Sequence, residues 1–231
     1  MATMTRRAVL FVSVLLVPGA RLALAQSPAD PDPARFEAEI KGFDELDRKN
    51  TTPKGAVLFV GSSSIKRWPT AEGLPGLTVI NRGFGGSYIA DVNHYFDQTV
   101  RKYAPSVIVF YAGDNDLGSG KSPDRVFADY QAFVEKVHGA KPDTEIFFIA
   151  IKPSLARWKL WQTMKAFNER VRAFSSSRPR LHFVDVAPPM LGTDGQPRPE
   201  LFVEDGLHMT PAGYEIWNDL VSRAVTPFVR K

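Results

Sequence analysis

Short apolar runs alternate with stretches of helical spacing along most of this chain. The runs at 56–60, 78–80, 106–112, 145–151 and 181–186 are rich in β-branched and aromatic residues and are bounded by Gly, Pro or charge. Such runs predict strands buried on both faces of a parallel sheet. Between them, Phe36, Ile40, Phe43 and Leu46 recur at helical spacing, as do Val126, Tyr130, Phe133 and Val137. Ser122-Pro123 and Thr210-Pro211 each place a capping hydroxyl before a proline at the first helical position. Helices are therefore expected from Ala34 to about Arg48, over 88–103, from Pro123, over 160–174, and from Pro211 to about Phe228. Strand–helix alternation repeated five times predicts a single α/β domain over 34–231, a five-stranded parallel sheet with helices on both faces.

Ahead of that domain the pattern changes twice. Residues 26–33 form a Pro/Asp/Ala linker without periodicity, and residues 1–25 read as an export signal. Arg6-Arg7 precede an apolar run over 8–17, then Pro18-Gly19, and Ala23-Leu24-Ala25 supplies the small residues a signal peptidase needs, which places the cut before Gln26. Ten residues span about 15 Å as a helix, half of a ~30 Å hydrocarbon core, so a cleaved signal is expected rather than a lasting membrane anchor. Thr5-Arg6-Arg7-Ala8-Val9-Leu10 also resembles a twin-arginine signal. The mature protein is expected to be periplasmic or secreted.

Charge reads differently once that signal is set aside. The whole chain of 231 residues has 29 Lys and Arg against 25 Asp and Glu. Without Arg6, Arg7 and Arg21 the balance is 26 against 25, a net charge of +1. Nothing in that near-balance favours nucleic acid as a partner. The absence of Cys excludes disulfides, thiol catalysis and cysteine metal sites. No sequence feature speaks to oligomeric state.

In parallel α/β sheets the working groups collect on loops beyond the carboxyl ends of the strands, and four such loops carry unusual residues. Gly61-Ser62-Ser63-Ser64-Ile65 follows the first strand, where a hydroxyl and the first N–H groups of a helix can converge. It is not the G-x-S-x-G elbow, since Ile65 stands where the second Gly should be. Asn81-Arg82-Gly83-Phe84-Gly85-Gly86-Ser87 can turn backbone N–H groups toward a ligand. A dinucleotide fingerprint would need a glycine where Tyr88 stands. Gly113-Asp114-Asn115-Asp116 follows the third strand and lacks the acidic series of a calcium loop. In Asp205-Gly206-Leu207-His208 the carboxylate can reach Nδ1 of the ring around a tight turn and leave Nε2 free as a base. His94, His138 and His182 lie in helical or strand contexts, and no other His/Asp cluster has metal-ligand spacing.

Taken in order, the four loops resemble the sequence blocks of the SGNH (GDSL-like) hydrolases, over nearly all of the mature length. The nearest flavour is the bacterial lysophospholipase/thioesterase and platelet-activating-factor acetylhydrolase branch. Gly61-Ser62-Ser63 is similar to the Gly-Asp-Ser block with Ser62 in place of Asp, Gly113-Asp114-Asn115-Asp116 to G-x-N-D, and Asp205-Gly206-Leu207-His208 to D-x-x-H. The resemblance implies a flavodoxin-like three-layer α/β/α sandwich and a carboxylic ester hydrolase acting on a small-molecule ester without cofactor or metal. It implies Ser63 as nucleophile, with His208 and Asp205 completing a triad. Counting instead from Ile65 would make it Ser64. The N–H groups of Ser63 and Gly86 and the side-chain amide of Asn115 are implied as the oxyanion hole. Trp68, the 151–154 turn, Trp158 and the 197–202 stretch are expected to wall the site. The rival reading, a catalytically silent lipid- or carbohydrate-binding module on the same fold, sits poorly with an intact Ser, His and Asn.

Overall fold

The computed structural model describes residues 28–53 and 55–229; the expected export signal lies outside the described residues. Five strands, β1 (Val57–Gly61), β2 (Val79–Gly83), β3 (Val107–Tyr111), β4 (Glu145–Ile149) and β5 (Leu181–Val184), form one sheet in the order β2-β1-β3-β4-β5. Every neighbouring pair is parallel. The flavodoxin-like order reverses between β1 and β3, and a crevice opens at such a point beyond the strands' carboxyl ends.

Period-2 alternation along the central strands supplies both cores. Leu58, Val60, Ile108, Phe110, Ile146 and Phe148 face one side, where they meet helices Glu37–Lys49, Pro123–Ala140 and Trp161–Ser176. Val57, Phe59, Val109, Tyr111, Phe147 and Ile149 face the other, against Ile65, Trp68 and helix Pro211–Val225 with its Trp217 and Val221. Three layers result, as expected. Among the described residues no helix is long and apolar enough to cross a membrane.

The differences from the expected boundaries have physical causes. β2 runs on through Asn81-Arg82-Gly83, polar residues that read as loop, because their backbones continue the ladder on β1. Their side chains are satisfied at the sheet edge: Asn81 donates to the Ile65 carbonyl at 2.7 Å and Arg82 pairs with Asp47. β4 stops at Ile149, short of 151, because the Asn168 side chain takes over both backbone groups of Ile151, at 2.8 and 2.9 Å. The helix expected over 88–103 breaks into Ile89–His94, Phe96–Thr99 and a 3₁₀ turn Arg101–Tyr103, with Tyr95 out of helical geometry at ψ 23°. The described part of the linker is held by charge: Asp30 pairs with Lys121 and Arg125, and Asp32 caps the turn Pro33–Phe36.

Candidate active site

The site begins where β1 ends. Gly61 has φ 140°, and a Cβ there would fall 1.9 Å from the Tyr111 carbonyl oxygen, so only glycine lets the chain pass this close over β3. Ser62 N–H then donates to that carbonyl at 2.9 Å, and the short helix Ser63–Lys66 starts at once. Consecutive helical residues diverge by about 100°, and the two serines separate accordingly. Ser63 Oγ lies 2.9 Å from His208 Nε2. Ser64 is buried, its Oγ 3.1 Å from Lys152 Nζ, and its carbonyl accepts from Tyr214 at 2.9 Å.

The turn that carries His208 is built by its own aspartate. Asp205 Oδ1 accepts from the N–H groups of Leu207 at 2.9 Å and His208 at 2.8 Å, Gly206 takes φ 64°, and Asp205 Oδ2 meets His208 Nδ1 at 2.6 Å. Burial works upward on the Asp205 carboxyl, but the imidazole and the two amides outweigh it and hold it below the usual carboxylate range. An ionised carboxylate only accepts, so the proton sits on Nδ1 and Nε2 presents its lone pair to Ser63.

The second and third loops complete the constellation. Ser87 Oγ donates to the Gly61 carbonyl at 3.2 Å, and the Ser87 carbonyl accepts from Asn115 Nδ2 at 3.2 Å. Gly86, at φ 77°, precedes this tie. Among the described residues the N–H groups of Ser63 and Gly86 have no partner within the chain, so both are open to a ligand. Ser63, Gly86, Asn115, Asp205 and His208, distant in sequence, thus belong to one rim of the sheet.

Among the expected walls of the site, Trp68 and the end of the 197–202 stretch are corrected. Trp68 does not wall the site. It is core, edge-on to Phe59 and stacked on Tyr214, with Nε1 donating to Asn218 at 2.7 Å. Leu201 and Phe202 are likewise buried in the second core, and Trp158 stacks on Trp161. His138 and His182 bond Thr144 and Glu145 near the amino end of β4, away from the rim.

Residues to which the sequence assigns no role of their own support the loops from below. Lys152 is fully buried between Ser64 Oγ and Tyr111 OH, each at 3.1 Å, with Asp114 at 3.7 Å; burial lowers its pKa. A charged residue directly after an apolar strand was the available signal. Asp116 accepts from Ile89 N–H at 3.2 Å and faces Lys121 Nζ at 3.4 Å, while Lys121 also pairs with Asp129 and Asp30. It joins the Gly-rich loop to the third loop.

Burial raises the Asp116 pKa from 3.8 to about 7 in spite of Lys121. The folded protein therefore binds this proton more tightly than the unfolded chain does. Stability contributed by the group falls as pH rises from about 4 to about 7. Asp116→Asn keeps an acceptor for Ile89 and removes the titration. Its melting temperature is expected to change less than that of the wild type between about pH 5 and about pH 7, as thermal melts at the two values would show.

A parallel three-layer sandwich carrying these loops at its switch point defines an SGNH-type hydrolase. The chain belongs to the GDSL-like lipase/acylhydrolase family, whose model matches residues 61–216, and it is a carboxylic ester hydrolase. The alpha1 subunits of platelet-activating factor acetylhydrolase IB from Bos taurus and Homo sapiens are 25% identical to it over 175 residues, 73% of this chain and 73% of theirs. Two solved structures share the fold. A GDSL-like lipase from Bacteroides thetaiotaomicron has a TM-score of 0.70 at 21% identity, covering 82% of this chain and 98% of that one. An acetyl xylan esterase has a TM-score of 0.61 at 20% identity, covering 74% and 99%.

Proposed function

We propose that this esterase works through an acyl-enzyme on Ser63 and that its substrates carry a small acyl group such as acetyl. The observation that carries the reading is the continuous relay from Asp205 through His208 to Ser63, with contacts of 2.6 and 2.9 Å. Ser63 Oγ attacks the ester carbonyl carbon and His208 Nε2 takes its proton. The carbonyl oxygen becomes an oxyanion, met by the N–H groups of Ser63 and Gly86 and by Asn115 Nδ2. As the intermediate collapses, the carbon–oxygen bond to the alcohol breaks and His208 returns the proton to the leaving oxygen. Water, deprotonated by the same imidazole, then attacks the acyl-serine and releases the acid.

The acyl size is supported by what the relatives are named for. The curated relatives are acetylhydrolases, and one structural neighbour is an acetyl xylan esterase. Rates on p-nitrophenyl esters from acetate to palmitate test this. The expected order has acetate fastest with a steep fall along the series; cleavage of palmitate faster than acetate would overturn it. A fluorophosphonate probe separates an esterase from a silent binding module, since only an activated serine is labelled.

Export to the periplasm or medium is part of the proposal, supported by Arg6-Arg7, the apolar run and Ala23-Leu24-Ala25. Secreted protein is expected to begin at Gln26, as N-terminal sequencing would show.

A further inference from the structure

We propose that Arg157 is a positioning residue that aims the side-chain amide of Asn115 at the developing oxyanion, an inference that rests on the esterase reading above. Arg157 Nη2 donates to Asn115 Oδ1 at 2.7 Å. A guanidinium can only donate, so the carbonyl end of the amide must face it. On the other side the Ser87 carbonyl, which can only accept, takes one hydrogen of Asn115 Nδ2 at 3.2 Å. The two contacts fix the same orientation from opposite ends and leave the second Nδ2 hydrogen for substrate. With the guanidinium gone, a flipped amide would turn an oxygen toward a forming oxyanion, replacing attraction by repulsion.

Arg157 is itself seated. Nη1 lies 2.9 Å from Asp114 Oδ2, an ion pair without the geometry of a straight hydrogen bond. The side chain passes over Gly118, where a Cβ would meet Nε at 2.9 Å and Cζ at 3.1 Å, so glycine makes the room. The neighbouring Ala156 N–H donates to the Gly206 carbonyl at 3.0 Å. Two adjacent residues of the segment after β4 therefore hold the Asn115 loop and the His208 turn in one register. Lysine would not substitute well, since a point charge lacks the planar fork that engages Asp114 and Asn115 together.

The test is kcat and KM for p-nitrophenyl acetate in Arg157→Met and Gly118→Ala, each alone and combined with Asn115→Ala. Gly118→Ala keeps both charges and suits a helix, but displaces the guanidinium, so it serves where Arg157→Met folds poorly. Arg157→Met is expected to lower kcat roughly 10²-fold with KM little changed, and Gly118→Ala to lower it less in the same sense. In the Asn115→Ala background neither should have a further effect, which a purely structural role for Arg157 would not produce. Wild-type kcat in Arg157→Met, or in Gly118→Ala where the first variant is unfolded, would overturn the inference. So would a loss that adds in full to that of Asn115→Ala. Wild type and Ser63→Ala are assayed alongside. No turnover by the wild type removes the esterase reading and this inference with it, whereas normal turnover with an indifferent Arg157 removes the inference alone.

Discussion

Ser63→Ala is expected to lower kcat by ~10⁶ while leaving the fold and the melting temperature close to those of the wild type. The size follows from the proposed mechanism, in which this variant loses the atom that forms the covalent bond and keeps only binding and the oxyanion donors. The fold should survive because Ser63 Oγ has His208 as its partner and lies at the rim, not in either core. Ser64→Ala is expected to behave in the opposite way. Its hydroxyl is buried against Lys152, so its loss leaves the buried Lys152 Nζ short of an acceptor and costs stability of about 1–3 kcal/mol. It should leave kcat within about tenfold of the wild type, because it removes no reacting atom. Thermal melts and ester hydrolysis on the pair of variants therefore give a crossed result: one inactive and stable, the other active and weakened.

His208→Ala is expected to cost a comparable ~10⁶ in kcat, and the double variant with Ser63→Ala should be no worse than either single one, since base and nucleophile act as a unit. Asp205→Asn should be milder, about 10⁴, because the base remains but the proton on its ring is no longer held at Nδ1. An amide at 205 can offer an N–H to Nδ1, which favours the tautomer with the proton on Nε2 and takes the lone pair away from Ser63. Asn at this position can still accept from the Leu207 and His208 amides that shape the turn, so the loss should appear in kcat and not in folding. Equal losses for Asp205→Asn and His208→Ala would mean that the aspartate does more than orient the ring.

The periodicities showed where strands end and helices begin well enough to locate four loops, because burial on both faces and proline-after-cap signatures are local properties. Gly206 and the D-x-x-H spacing were legible for the same reason: that turn is satisfied by residues close in sequence. The choice between Ser63 and Ser64 was not, since it depends on the angle at which the chain leaves Gly61 over Tyr111, a contact between strands. Asn81-Arg82-Gly83 looked like loop because polar side chains at a sheet edge find partners, Ile65 and Asp47, that no local pattern reveals. Trp68 was misplaced because an aromatic near a catalytic loop and an aromatic in the core have the same spacing, and only the packing of Phe59, Tyr214 and Trp217 decides. Lys152 and Arg157 escaped for a related reason. Their roles lie in pairings with Ser64, Tyr111, Asp114 and Asn115, set by the sheet order and not by neighbours in the chain.

The most direct test of the account is the site of covalent capture. The protein is mixed with p-nitrophenyl acetate, quenched in acid during the first turnover, digested and mapped by mass spectrometry. One acetyl group on Ser63, lost with time in the wild type and absent from Ser63→Ala, is the expected result. Acetyl on Ser64, or steady hydrolysis with no acyl-serine and full activity in Ser63→Ala, would contradict it.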